Sequence, residues 1–576
     1  MQRLSGARLR AVSTAASAAL VWSIASAASA QAGPAADQAA RIERLEAELK
    51  SVEAELASMK AAQASAPVTT QAPAGAPSSA AYAAADVTSP PNSARPADSG
   101  SPALQTVLPR STGGDGSSAS VAIGGGRPTI RSNDGNFVAT LHGVMQFDAA
   151  AYDQDKSGPL TTDQRRDGPA LGASATNVDA AHARNLKDGD LFRRARIGID
   201  GTVYGDWDYR ILFDFGGTGT ENTGQVYETW VQYSGLKPFR FRIGAFPAST
   251  GLDDQGSTNG MPFLERAISS DIARGFAAGD TRTAAQIFGA GDHWFASAAV
   301  TGRTIGTLNT GTATAVPQTY GDQLGFVARL AASPLYGKDW MVHVGVHGSY
   351  IDRPADASGP GATGSTAISS KVIALSNTPE LRVDGTKLIN TGNIDARHAD
   401  EEGLEFAAQK QNFFLQSEYE NFDISRDDGF SSPSFHGYYV YGTWLITGEA
   451  RKYNAQTAAF DAPPVNHPFN LKAGTWGAWE LGVRYSDMDL NYHAGRAGTA
   501  QLGDSIRGGE EKTLTAGLNW YVNPVVRFML DYSHVDIDRL SPATSASNAS
   551  TVWLGAVGAQ IGQTYDVVSL RSQVAF

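Results

Sequence analysis

The sequence predicts an all-β chain, a sixteen-stranded antiparallel transmembrane β-barrel with a short N-terminal α-helical coiled coil. Three observations lead there. From about Phe137 to Phe576 apolar and polar residues alternate with period two, in runs of about 9–15 residues rather than the usual five or six. The connections between these runs alternate between tight and long. Beyond the N-terminal segment no apolar run approaches the roughly twenty residues of a spanning helix, so a chain of this pattern crosses lipid only as a closed barrel.

The elements follow in chain order. Arg3, Arg8 and Arg10, an apolar stretch through Leu20, Val21, Trp22 and Ile24, and Ala28-Ser29-Ala30 have the pattern of an export signal over 1–30, with the mature chain expected to begin near Gln31. In the next segment, 31–62, Ile42, Leu45, Leu49, Val52, Leu56 and Met59 repeat at steps of three and four, an a/d seam of about three heptads. So short a seam is marginal alone and is expected to form where the attached domain already associates. Residues 63–128 are dominated by Ala, Pro, Ser, Thr and Gly and read as a flexible linker. The barrel domain is expected over 129–576.

Within it Trp207, Tyr209, Ile211, Phe213 and Phe215 alternate with Asp208, Arg210, Leu212 and Asp214, and Phe239, Phe241 and Ile243 with Arg240, Arg242 and Gly244. Strands are predicted at 137–152, 190–203, 207–216, 224–234, 238–246, 281–289, 293–302, 322–332, 340–351, 402–410, 412–424, 434–447, 476–490, 510–522, 525–538 and 563–576. One connection, 448–475, is long yet lies on the short-turn side, and is expected to fold inward. Trp207, Tyr233, Trp294, Trp340, Trp444, Trp520 and Tyr521 cluster near that rim as an interfacial girdle. Val568, Leu570, Val574 and Phe576 share a face of the last strand, which resembles the signal read by the barrel-assembly machinery.

Composition narrows function. The formal charge is −12, and loss of the three signal arginines takes it to −15, which excludes broad nucleic-acid binding. With no cysteine there are no disulfides or thiolate metal sites. His343 and His347 lie about 13 Å apart along one strand, too far to share a metal as a pair, so no metal or cofactor is expected. No short motif pairs a nucleophile with a base, and no glycine-rich loop opens a helix, so no enzyme is expected.

The segments Phe192-Arg193-Arg194-Ala195-Arg196-Ile197-Gly198, Gly244 to Gly251, Met261-Pro262-Phe263-Leu264-Glu265-Arg266, Ile389-Asn390-Thr391-Gly392, Gly448-Glu449-Ala450-Arg451-Lys452-Tyr453, Gly477-Ala478-Trp479-Glu480-Leu481 and Leu518 to Pro524 stand in that order over about 130–576. Together they resemble the phosphate-selective porin O/P family. The resemblance implies an outer-membrane homotrimer of barrels in lipid, loops folded into each pore, and passive diffusion of small anionic solutes such as phosphate. It also implies that Phe263–Arg266 enters the lumen.

Alternation puts Arg194, Arg196, Arg210, Arg240 and Arg242 on the inner face, with Arg282 opening the sixth strand and Arg266 on the third long loop. Arginine is always ionised and holds oxyanions through paired N–H groups, so these seven form the candidate ion pathway. Against that reading, each could pair with Asp200, Asp208 or Asp214 and brace the wall, and Glu265-Arg266 could pair internally. The alternative function is a general or cation-preferring porin whose coiled-coil stalk reaches from the outer membrane through the periplasm to peptidoglycan.

Overall fold

The computed structural model describes Lys50 and residues 119–124, 126–154, 186–217, 224–276, 279–304, 323–354, 371–427, 429–544 and 557–576. The expected export signal, almost all of the heptad seam and the linker as far as residue 118 lie outside the described residues.

The alternating segments form strands wherever period two was read. After a hairpin of β1 (Ala119–Gly124) and β2 (Arg127–Ser132), the strands are β3 (Phe137–Gln154), β4 (Gly189–Val203), β5 (Trp207–Asp214), β6 (Gln225–Tyr233), β7 (Phe239–Pro247), β8 (Thr281–Ala290), β9 (Trp294–Thr304), β10 (Leu324–Tyr336), β11 (Trp340–Arg353), β12 (His398–Lys410), β13 (Phe413–Ser425), β14 (Ser434–Leu445), β15 (Ala478–Tyr492), β16 (Ile506–Tyr521), β17 (Val526–Asp538) and β18 (Thr564–Ala575). Each of β3 to β18 pairs antiparallel with its sequence neighbour. The circle closes between β18 and β3, from Tyr565↔Gln154 to Ala575↔Val144. Sixteen strands in a ring leave no open edge, the condition for putting backbone into hydrocarbon. No described helix is long and apolar enough to cross a membrane.

Period two then decides facing. Ile199, Ile211, Ile243, Val300, Leu404 and Leu570 are exposed outward, while Gln146, Gln286, Arg329, Glu405, Glu480 and Asn519 are buried inward. Apolar out and polar in is the reverse of a water-soluble sheet pair and is what lipid on one side requires. On the short-turn rim Trp207 packs on Tyr233 at 5.0 Å, and Phe413 stacks with Trp444 at 6.0 Å. Tyr521 departs from the expected girdle. It follows outward Trp520 by one residue, so its ring points inward, and its hydroxyl donates to Glu480 Oε2 at 2.7 Å.

The expected linker boundary at 128 falls inside a hairpin. β1 and β2 pair from Ala119↔Ser132 to Gly124↔Arg127, and β2 continues onto β3 at Thr129↔Thr140 to Arg131↔Val138. The cause is a length mismatch. β18 ends opposite Val144, leaving the first residues of β3 with an unpaired edge, which β2 covers.

Two loops occupy the lumen. Between β7 and β8 the chain turns inward through α1 (Leu252–Gln255) and α2 (Ile268–Gly275). Between β11 and β12, residues 371–397 fold over α2, and Leu375, Leu381, Leu388 and Ile394 join Ile268, Ile272 and Phe276 in one apolar cluster. The connection after β14 also turns inward as expected, burying Glu449, Arg451, Ala459 and Phe460.

The chain end completes the ring. Phe576 N–H donates to the Gly143 carbonyl at 2.9 Å and Gly143 N–H returns the bond at 2.9 Å. A Cβ on Gly143 would lie 2.5 Å from the Phe576 ring. Gly143→Val is therefore expected to displace that ring at a cost of about 1–3 kcal/mol of overpacking. Loss of the compact, fast-migrating barrel band at a lower temperature in unboiled gels would show it; unchanged heat resistance would count against the closing role of Phe576.

Candidate functional site

The loop from Ala248 to Asp280 is held in the lumen by inward side chains of the wall. Each contact ties a loop backbone group to a strand position chosen by alternation. Arg527 donates to the Asn259 and Met261 carbonyls at 3.1 and 2.5 Å. Asn519 reaches the Pro262 carbonyl at 2.8 Å, Arg484 the Glu265 carbonyl at 2.8 Å, and Arg571 the Leu264 carbonyl. Asp531 accepts the Leu264 N–H at 2.8 Å, and Glu418 accepts the N–H groups of Leu252 and Asp253. From the inward-folded turn after β14, Arg451 bonds the Gly260 carbonyl at 2.9 Å while paired with Glu480 at 2.7 Å. Backbone groups that would be orphaned in an irregular buried loop are thus satisfied by polar partners, all but Asn519 of them charged.

Phe263–Arg266 does enter the lumen, and Glu265 is its hub. Arg193 grips it with two bonds at 2.6 and 3.0 Å, Arg571 donates at 2.8 Å, and Arg194 lies 3.8 Å away. Arg571 also binds Asp148 through two bonds at 2.6 Å. Burial opposes ionisation of Glu265, but Arg193, Arg194 and Arg571 outweigh it and hold the carboxyl well below the usual carboxylate range. Glu265 and Arg266 do not pair with each other. Arg266 instead binds Asp253 Oδ2 at 2.8 Å and braces the loop from within.

Arg193 reaches this hub because of a bulge that strict alternation does not reveal. Arg194 pairs with Gln146 and Phe192 with Phe147, so Arg193 is an extra residue and both arginines face the lumen.

The seven arginines of the expected pathway fall into two groups. Arg194 donates to Gln146 Oε1 at 2.6 Å, and Arg196 pairs with Asp214 at 2.8 Å over the Tyr227 ring. Arg282 donates to the Gly279 and Arg274 carbonyls at 3.2 and 3.1 Å. With Arg266, these four are committed to the wall or the loop.

The other three line β5 and β7. Arg210 pairs with Glu228 at 3.2 Å and lies 3.8 Å from Asp200. Arg242 donates only to the Gln232 amide oxygen, at 2.8 and 3.0 Å. Arg240 has no ion pair or hydrogen bond among the described residues. Aromatic rings join them: Trp230 is flanked by Arg210 at 5.6 Å and Arg242 at 4.3 Å, and Phe288 by Arg242 at 5.0 Å and Arg240 at 5.7 Å. The rings space like charges, and of the three guanidinium edges that of Arg240 carries no hydrogen bond among the described residues.

Sequence reading missed Arg193, Glu380, Arg451, Arg484, Arg527 and Arg571. The last three alternate with outward Val483, Phe528 and Leu570, so the same rule could have placed them inward. Glu380, bonded to Arg484, Ser486 and the Ile268 N–H, sits on an irregular loop with no periodicity to read.

Glu265→Gln is expected to leave buried Arg193 and Arg571 undercompensated, destabilising the loop by about 3 kcal/mol and raising single-channel conductance. Conductance equal to that of the parent would remove the hub role. A depressed carboxyl pKa stabilises the fold above the ordinary value and loses that contribution only as pH falls through the depressed one. Conductance should therefore hold steady from neutral pH to about 4.5 and rise only in stronger acid.

The chain is similar to several known proteins. Porin O of Pseudomonas aeruginosa is 27% identical over 388 residues, covering 65% of this chain and 83% of that protein. Among solved structures, Pseudomonas putida OprB aligns with TM-score 0.42 at 9% identity over 77% of this chain and 95% of its own. An anion-selective porin from Comamonas acidovorans aligns with TM-score 0.39 at 11% identity over 76% and 100%. Residues 169–576 match the family described as phosphate-selective porin O and P, and the chain belongs to that family of outer-membrane porins, non-enzymatic channels.

Proposed function

We propose that this porin conducts small anions, phosphate among them, along the strip Arg210–Trp230–Arg242–Phe288–Arg240 on the β5–β8 wall. The observation that carries the reading is that neither Arg240 nor Arg242 has an ion pair among the described residues, in a lumen where the other arginines bind carboxylates or carbonyls. A guanidinium with open N–H groups replaces part of an anion's water shell, and Glu228, held by Arg210 and Trp230 in the same strip, keeps the anion's hold weak enough for release. Arg194, Arg196, Arg266 and Arg282 serve the same pathway indirectly, by shaping the neck.

Planar-bilayer recording in a potassium chloride gradient tests this. The reversal potential should favour chloride, and phosphate should reduce chloride current. A unit charge about 7 Å away in water is worth about RT, so Arg240→Gln and Arg242→Gln should each lower the anion-to-cation permeability ratio about threefold. A cation-favouring potential in the parent protein would overturn the proposal.

The heptad seam supports a second, compatible role. Three copies of residues 31–62 would form a periplasmic stalk beneath a homotrimer and meet peptidoglycan. Deleting 31–62 from the full chain should abolish co-sedimentation with peptidoglycan while leaving conductance unchanged. Equal sedimentation of both forms would exclude the stalk as a tether.

A further inference from the structure

A second cluster of charge lies behind the start of the constriction loop, on β11, β12 and β13. His347, Gly403 and Glu420 stand side by side on three adjacent strands, with Glu401 two residues from Gly403. Glycine in the middle position lets the outer two side chains meet. A Cβ on residue 403 would lie 1.9 Å from His347 Nε2 and 2.4 Å from Glu420 Oε2. Through that gap Nε2 lies 2.9 Å from Glu420 Oε2 and 3.3 Å from Glu401 Oε1. All three side chains are enclosed, and neither carboxylate oxygen of Glu401 has a hydrogen-bond partner.

We infer that His347 Nε2, Glu401 and Glu420 form a site for one divalent transition-metal cation, of the zinc class. Three features agree. First, metal–ligand bonds of about 2.0–2.2 Å at tetrahedral angles give ligand–ligand edges of about 3.3–3.6 Å; the Glu401 separation already has that length, and the Glu420 contact, a hydrogen bond at 2.9 Å, would open by about half an ångström to admit the ion. Second, the imidazole is already oriented. His347 Nδ1 lies 2.9 Å from Glu405 Oε1, and Glu405 is fixed by Arg329 through bonds at 2.7 and 2.8 Å. With its proton on Nδ1, His347 offers the Nε2 lone pair to the gap, and the carboxylate behind it sets that tautomer. Third, the charges do not balance. Glu401, Glu405, Glu418 and Glu420 face Arg329, His343 and His347, with Arg282 close to Glu401; Arg329 and His343 are committed to Glu405, and two guanidiniums do not balance four carboxylates while the imidazoles are neutral. Glu418 is occupied by the Leu252 and Asp253 N–H groups, Ser270 and Tyr439. A dication between Glu401 and Glu420 supplies the missing positive charge. Cross-strand from Glu401, the buried Ser349 hydroxyl also lacks a partner and would face the same ion or its water.

The site lies outside the arginine strip and is independent of the sign of ion selectivity. A bound cation would pin β11, β12 and β13 behind Gly251, where the loop enters the lumen.

The full chain, folded in detergent and stripped with a chelator, is titrated with zinc chloride. Bound metal is read by elemental analysis, and affinity by competition with a chromophoric chelator. One zinc per chain is expected. Glu401→Gln and Glu420→Gln should each weaken binding about tenfold or more, and Glu510→Gln, at the half-exposed outer rim, should not. Glu401→Gln removes a buried carboxylate that has no hydrogen bond and only the 3.3 Å contact with His347, so the fold should survive, with heat resistance raised in the stripped form and no longer increased by zinc. Cobalt substituted into the parent protein should give visible d–d bands. Sub-stoichiometric zinc with no cobalt bands, or equal zinc affinity in the parent and Glu401→Gln, would overturn the site and leave His347 as an imidazolium bridging the glutamates.

Discussion

Closure of the ring between β3 and β18 is the constraint from which the other features descend. Lipid offers no partner to a backbone N–H or carbonyl, so an open edge within the bilayer is too costly to persist. The ladder from Tyr565↔Gln154 to Ala575↔Val144 removes that edge and fixes every residue as facing lipid or lumen. Since β3 outruns β18, the leftover edge falls to β2, and the short hairpin before the barrel is a consequence of closure rather than a separate domain.

Once the faces are fixed, polar residues accumulate inside, where an irregular loop must also be accommodated. The loop brings its own unsatisfied carbonyls and N–H groups, and the wall answers with long side chains: Arg484, Arg527 and Arg571 to carbonyls, Asp531 and Glu418 to N–H groups. Most lumen arginine is thereby structural. A guanidinium holding a buried carbonyl cannot let go for a passing ion without leaving that carbonyl orphaned. Only side chains without such duties are free to exchange ligands; among the seven sequence candidates Arg240 meets that condition, and Arg242 is held by the Gln232 amide oxygen but by no carboxylate.

The division between legible and illegible features follows periodicity. Strand existence and facing were readable because one side of every strand touches lipid. The segment Phe239–Ile243 alone places Arg240 and Arg242 inward. Features that break period two were not readable. The extra residue at Arg193 adds a second β4 arginine to the Glu265 hub, and Glu380 lies on an aperiodic loop that reaches Arg484. Tyr521 was assigned by closeness to a turn, although its parity with Trp520 already points it inward. His347 and His343 were judged as a pair along one strand. The relevant neighbours of His347 are lateral, Gly403 and Glu420, and lateral register is fixed only once the strands pair.

The acidic total also needs placing before it can oppose an anion pathway. Carboxylates are plentiful on the outward surface of β12 and β15–β17: Glu402, Asp487, Asp489, Glu510, Asp536 and Asp538 are exposed or half-buried there. At physiological ionic strength the field of such charges decays over about 8 Å, so those facing outward contribute little across a water-filled lumen. Asp208, closer to the strip, is bonded to Thr202, Gln232 and Ser234, neutral donors that lower its hunger for a cation. Glu401, Glu405, Glu418 and Glu420 are enclosed behind the loop rather than presented to water. The field that a permeating ion meets is therefore set locally, by the few charges that remain both wet and unpaired. Net charge governs the protein's solubility and encounter with other surfaces. The sign of the pore belongs to the wet groups along its path, which on the pathway proposed above are the guanidiniums of Arg240 and Arg242.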